Sequence, residues 1–197
     1  MNLNSGSLKN RDMQWAEQIR DDNEIAFSNL FDTYYRPLCE YAYRYVKHAE
    51  TMEDIVQEVF VRIWEKRKQW EPKVSVRAYL YRSVYNEVIN DFRKKRFALP
   101  FAELRELDNA VATNSTSSDV QDREIARAIK RAIEMLPARR KEILVLRLVQ
   151  DLSYKEISVI LDISVNTVDT QIRRALKLLR THLKEFVSDN EPLRAHG

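Results

Sequence analysis

Apolar residues recur three and four positions apart along most of the chain, the period of helices that bury one face. The pattern predicts a helix from about Asn23 to Tyr34 and its continuation from Pro37 to about Lys47. Pro37 either opens that second piece or kinks one longer helix. Another helix is expected from about Met52 to Lys68, with Ile55, Val56, Val59, Phe60, Ile63 and Trp64 as its inner stripe. A further one runs from about Val76 to Lys95, turning Tyr81, Val84, Tyr85, Val88, Ile89 and Phe92 inward. Pro72 marks a loop between them, from Gln69 to Ser75. Residues 1–22 read as a tail or a short helix.

Beyond residue 96 the pattern lapses. Asn109, Thr113, Asn114 and Ser115 to Ser118 belong to a polar stretch whose short side chains compete with helix for backbone hydrogen bonds. Residues 97–121 are read as a flexible linker, with a short helical turn open near Ala102 to Leu107. Periodicity returns in residues 122–187 as four helices. Ile125, Ile129, Ile133 and Leu136 line the first, and Pro137 opens the second, which reaches about Val149. Ser153-Tyr-Lys-Glu156 has the form of a capping box at the start of the third. Ser164 is a good N-cap for the fourth, whose stripe is Val168, Ile172, Leu176, Leu179 and Leu183. Residues 188–197 form a tail. The expected fold is all-α: two small helical domains, residues 23–96 and 122–187, joined by the linker.

Composition narrows the chemistry. Of 197 residues only 2 are glycine, Gly6 and Gly197. Phosphate loops and dinucleotide fingerprints need glycine for close backbone approach, so both are excluded. Tight β-hairpins favour glycine too, which argues against an all-β chain. One cysteine, Cys39, allows no internal disulfide or cysteine-based zinc site, and the 3 histidines have no metal-ligand spacing. No cofactor, metal or small-molecule substrate is expected. The first twenty residues lack an apolar signal core, and a cytoplasmic location is expected.

The formal charge is only +3, but it is unevenly distributed. The helix from Ser153 to Leu161, a tight connection and the long helix from Val165 form a helix-turn-helix, whose second helix suits a DNA major groove. Its polar side offers Asn166, Asp169, Thr170, Arg173 and Lys177, groups able to read base edges or neutralise phosphate. Arg82, Asn86, Asn90 and Arg93 share one face of the helix from Val76, and six basic against two acidic side chains lie between Arg77 and Arg96. Trp70, Lys73 and Ser75 precede that helix. Aromatic groups beside basic ones suit single-stranded nucleic acid. Between Glu50 and Glu65 the balance reverses to five acids and one base. Such a face repels phosphate and suits water or a protein partner.

The run Asp54-Ile-Val-Gln-Glu-Val-Phe-Val-Arg-Ile-Trp64 resembles the core-binding segment of bacterial sigma factors. Tyr79-Leu-Tyr-Arg-Ser-Val-Tyr-Asn86 and Asp91-Phe-Arg93 resemble the segment after it. Leu136-Pro137, Arg140, Ser153-Tyr-Lys-Glu-Ile157, Asn166-Thr-Val168 and Arg174-Ala175 resemble the promoter-binding C-terminal domain. Order and spacing are similar to the extracytoplasmic-function (ECF) class, the smallest sigma subunits of RNA polymerase. The resemblance implies that Asp54, Gln57 and Glu58 contact the clamp helices of the polymerase β′ subunit. It implies that the loop holding Trp70, Lys73 and Ser75 captures a flipped base of the promoter −10 element. Arg82, Asn86, Asn90 and Arg93 would grip that element. Val165, Asn166, Thr167, Asp169, Thr170, Arg173, Arg174 and Lys177 would meet the −35 element, while the same domain touches the β flap. An anti-sigma partner, of a kind often membrane-bound, is implied as well.

The chain departs from the family pattern at Gln150-Asp151, where glycine is common, and at Asp162, where a small residue is common. Asp169 also turns an acid toward DNA. Two other functions fit the sequence less well. A stand-alone LuxR-like regulator would account for the helix-turn-helix, but not for an acidic helix followed by an aromatic, basic one. A helical nuclease would need acids joined with histidine in a metal or acid–base constellation, and no such grouping occurs.

Overall fold

The computed structural model describes residues 4–98, 129 and 131–189, and all regular structure among them is helical. They fall mainly into two compact units, one built from helices before residue 99 and one from helices after residue 128. Among the described residues no helix is long and apolar enough to cross a membrane.

The first unit holds α1 (Asn4–Arg20), α2 (Glu24–Ala42), α3 (Ala49–Glu65), a 3-10 turn (Arg67–Gln69) and α4 (Val76–Ala98). α1 fills the span left open between tail and short helix. It packs against α2, the 3-10 turn and α4. Its inner side consists of Ala16, Ile19 and a carboxylate, Asp12, all buried. Asp12 is held by Arg11, at 3.0 Å, and by the Tyr34 hydroxyl, which donates to Oδ2. Asp22 closes the α1–α2 corner in the left-handed region, φ 67°, a conformation that Asp tolerates better than most side chains. Asn23 caps α2 by accepting from the Ala26 amide at 2.9 Å.

A single helix runs through Pro37 rather than two pieces meeting there. The ring costs one backbone bond, since it has no N–H to offer the turn before it. Buried Leu30, Tyr34, Leu38 and Tyr41 on the same helix offset that loss through packing. The core lies where α2 meets α3 and α4: Leu30, Leu38, Ile63, Leu80 and Val84 are shielded from solvent, and Tyr41 meets Tyr81 edge-to-face at 5.1 Å. Truncating any of these aliphatic side chains to alanine would cost about 2–5 kcal/mol.

The second unit contains helical residues 131–134, then α5 (Ala138–Leu148), α6 (Tyr154–Leu161) and α7 (Val165–Asp189). Ala132, Leu136, Leu144, Ala175 and Leu179 form one core cluster, with Ile133 and Leu178 against it. This revises two expected stripes. Ile129 is exposed and Ala132 takes the inner position. On α7 the inner line runs Val168, Ile172, Ala175, Leu179, so Leu176 is 36% exposed and Ala175 is 0% exposed. A pattern read by bulk favours leucine, whereas close helix packing here favours the smaller side chain.

Residues 99–128 lie outside the described set, and with them most of the expected linker and the start of the helix expected from residue 122. Residues 97 and 98 belong to α4, and residues 188 and 189 to α7.

Candidate nucleic-acid and polymerase interface

α3 turns Ile55, Val56, Val59, Phe60 and Ile63 into the core. That orientation exposes Asp54, Gln57 and Glu58 along one stripe of the opposite side. Val61 continues the stripe and is 50% exposed. Sequence reasoning missed it, because an isolated valine on a helix reads as core. Glu58 accepts from Arg62 at 3.2 Å, and Arg62 also donates to Glu87 of α4 at 2.7 Å. Those two carboxylates hold the Arg62 guanidinium above its ordinary pKa, Glu87 contributing most.

In the loop before α4, two of the expected residues are buried. Trp70 is 3% exposed, with its ring edge-on to Tyr79 at 5.7 Å. Ser75 is 4% exposed, and its hydroxyl accepts from the Ala78 amide at 3.0 Å, an N-cap for α4. Neither side chain is presented to a ligand in this conformation. Burial alternates along the extended loop: Trp70, Pro72 and Ser75 point in, and Glu71 and Lys73 point out. Of the three residues singled out there, Lys73 alone is exposed.

On α4, Arg82, Asn86 and Arg93 are exposed and Asn90 is half-buried, all on one side of the helix. These four lie along α4 and Lys73 in the loop before it, all within the first unit. Arg44, half-buried in the turn after α2, loses basicity to burial, with Tyr45, Tyr41 and Tyr81 opposing that shift.

In the second unit both expected caps are present. Ser153 Oγ accepts from the Glu156 amide at 3.3 Å, and Glu156 Oε2 accepts from the Ser153 amide at 2.9 Å. Ser164 Oγ accepts from the Thr167 amide at 3.0 Å and also meets the Thr167 hydroxyl at 2.8 Å. The two non-glycine turns adopt the conformation that glycine takes most easily, with φ 45° at Asp151 and 53° at Asp162. Arg147 donates to Asp151 at 2.8 Å, beside the first of these turns.

α7 exposes Val165, Asn166, Thr167, Thr170, Arg173, Arg174 and Lys177. Asn166, Asp169, Thr170, Arg173 and Lys177 share one face, with Val165, Thr167 and Arg174 at its margins. Asp169 does not stand as a bare acid, since Arg173 pairs with it at 2.9 Å. Arg140 of α5 donates to Gln171 at 3.1 Å and ties α7 to the domain.

Residues 30–98 match the Sigma-70 region 2 family, and residues 126–179 match the Sigma-70, region 4 family. The RNA polymerase sigma factor SigV of Bacillus subtilis (strain 168) is 30% identical over 148 residues, which span 75% of this chain and 85% of SigV. The ECF RNA polymerase sigma factor SigW of the same organism is 28% identical over 179 residues, 86% of this chain and 95% of SigW. The chain belongs to the ECF sigma factors. Among solved structures, the sigma factor RpoE in complex with the anti-sigma factor NepR, from Bartonella quintana, shares its fold. The TM-score is 0.59 at 24% identity, over 80% of this chain and 96% of that one. CnrH in complex with the cytosolic domain of CnrY gives 0.60 at 23% identity, over 89% and 98%. As a sigma factor, the chain is a DNA-binding transcription initiation factor that directs RNA polymerase to promoters. Its acidic stripe on α3 and its polar side on α4 both fall within the region 2 match.

Proposed function

We propose that this sigma factor docks on core polymerase through Asp54, Gln57, Glu58 and the adjoining Val61, with the β′ clamp helices as their counterpart. Arg82, Asn86, Asn90, Arg93 and Lys73 then hold the opened −10 element, and the exposed side of α7 reads the −35 element in the major groove. The observation that carries this reading is the opposition of charge within one small unit. An acidic stripe on α3 stands beside a cationic and amide-rich side on α4, so one helix suits a protein and the other suits DNA. The β flap is the expected contact of the second unit.

The chain supplies binding energy and promoter choice rather than bond-making chemistry. Its place of action is the cytoplasm, where polymerase works. RpoE of Bartonella quintana was solved with the anti-sigma factor NepR, and CnrH with the cytosolic domain of CnrY, which supports an anti-sigma partner for this chain as well. A stand-alone LuxR-like regulator is not favoured, because region 2 similarity covers the half that reading leaves unexplained.

The test is co-purification with core polymerase. Asp54→Lys combined with Glu58→Lys reverses an exposed stripe without touching the core, so the fold should survive while polymerase association is lost. Unchanged association would remove α3 from the interface.

A further inference from the structure

α1 lies before the segment that matches region 2, yet its last residues reach the loop that leads into α4. Arg20 Nη1 donates to the Trp70 carbonyl at 3.2 Å across 50 residues of sequence. Asp22, at the corner after α1, receives Arg67 Nε on Oδ1 and Lys68 Nζ on Oδ2, each at 2.6 Å. These two hydrogen bonds, Lys68 first, hold the Asp22 carboxyl below its usual pKa. Arg67 is fixed further by donating to the Trp64 carbonyl at 2.6 Å and by lying over the Trp64 ring at 4.4 Å. The left-handed backbone of Asp22 aims its carboxylate at the 3-10 turn. Burial of Trp70, Pro72 and Ser75 anchors the far side of the same loop.

We propose that the α1–α2 corner is a brace that sets the promoter-strand loop before DNA arrives, with Arg20 and Asp22 as positioning residues. Neither residue touches the strand in this account. Arg20 fixes the backbone at Trp70, where the loop begins, and Asp22 fixes the 3-10 turn immediately before it. A loop held in one shape pays less ordering entropy when a base is captured. Without the brace, Lys73 would sample more positions relative to Arg82 and Asn86. The proposal rests on assigning this loop to the −10 strand.

The test uses the full chain assembled with core polymerase, on a promoter fragment chosen because the unaltered chain transcribes it. Arg20→Met keeps the aliphatic stem and removes the donors. Asp22→Asn removes the charge and keeps a side chain that accepts the left-handed conformation. The readouts are affinity for core polymerase, permanganate reactivity of unpaired thymines, and the half-life of the opened complex after heparin challenge. The combined variant should bind core within twofold of the unaltered chain and lose the opened complex about tenfold faster, the scale set by one charged hydrogen bond. Arg20→Lys, which keeps a charged donor, should recover part of the half-life. Opened complexes that persist equally in all variants would overturn the brace. So would a parallel loss of core affinity and thermal stability, which would make the corner purely structural. If the unaltered chain binds core but no fragment can be found that it transcribes, the −10 assignment itself fails, and the brace with it.

Discussion

Replacing Tyr34 with phenylalanine should loosen α1 from the bundle. The Tyr34 hydroxyl donates to Asp12 Oδ2, while Arg11 occupies Oδ1 at 3.0 and 3.2 Å. Asp12 is 1% exposed, so water cannot replace the lost donor without disrupting the packing. A hydrogen bond to a charged group contributes about 1.5–3 kcal/mol, and a stranded buried acceptor adds its desolvation penalty. The expected loss is about 2–3 kcal/mol, which lowers a urea midpoint by roughly 1 M at an ordinary slope. All three tryptophans, Trp15, Trp64 and Trp70, belong to the first unit, so their fluorescence follows its unfolding in the intact chain. Combining Tyr34→Phe with Asp12→Leu removes both polar partners and should recover more than half of the loss. A Tyr34→Phe midpoint indistinguishable from that of the unaltered chain would show that the Asp12 contact contributes nothing.

Burial pushes the Tyr81 phenol up to about 12, with Arg77 and Arg44 opposing. Unfolded tyrosine ionises near 10, so the stability gained from keeping Tyr81 protonated is complete below about pH 10 and fades as the pH climbs to 12. Tyr81→Phe should remove about 1.4 kcal/mol per pH unit from the alkaline slope of unfolding free energy in that window; an unaltered slope would contradict the burial argument. Asp162→Gly relieves a left-handed backbone and should stabilise the second unit by up to about 1 kcal/mol, read as slower amide exchange in α6 and α7; faster exchange would show that the Asp162 side chain does something glycine cannot. Ser153→Ala breaks the capping box and should cost about 1 kcal/mol, seen as faster exchange at the amides of α6, and no change would refute the cap.

Much of the architecture was legible because helix period, caps and proline each leave a local mark. The capping box at Ser153 and the N-cap at Ser164 follow from side chains three residues apart, and both bonds form. α1 was not legible, because its inner line includes Asp12, an acid that ordinarily signals solvent. Its burial depends on Tyr34, 22 residues away, which no local pattern reveals. The burial of Trp70 and Ser75 was not legible for a related reason: an aromatic beside basic residues serves a core as readily as a nucleic acid. The alternation of Pro72 with Glu71 and Lys73 was the available clue. Leu176 was assigned inward on bulk alone, where Ala175 provides the closer helix contact. On the surface, the opposed charges of α3 and α4 could be read directly, since charged side chains stay outside unless paired.

Run-off transcription with core polymerase and a library of promoter fragments examines the central claim most directly. Added chain should produce discrete transcripts from a small subset of fragments, none of which core enzyme yields alone, and the Asp54→Lys, Glu58→Lys form should yield none. Absence of any chain-dependent start across the library, from a chain that remains folded, would contradict the assignment of one acidic and two DNA-directed surfaces to promoter initiation.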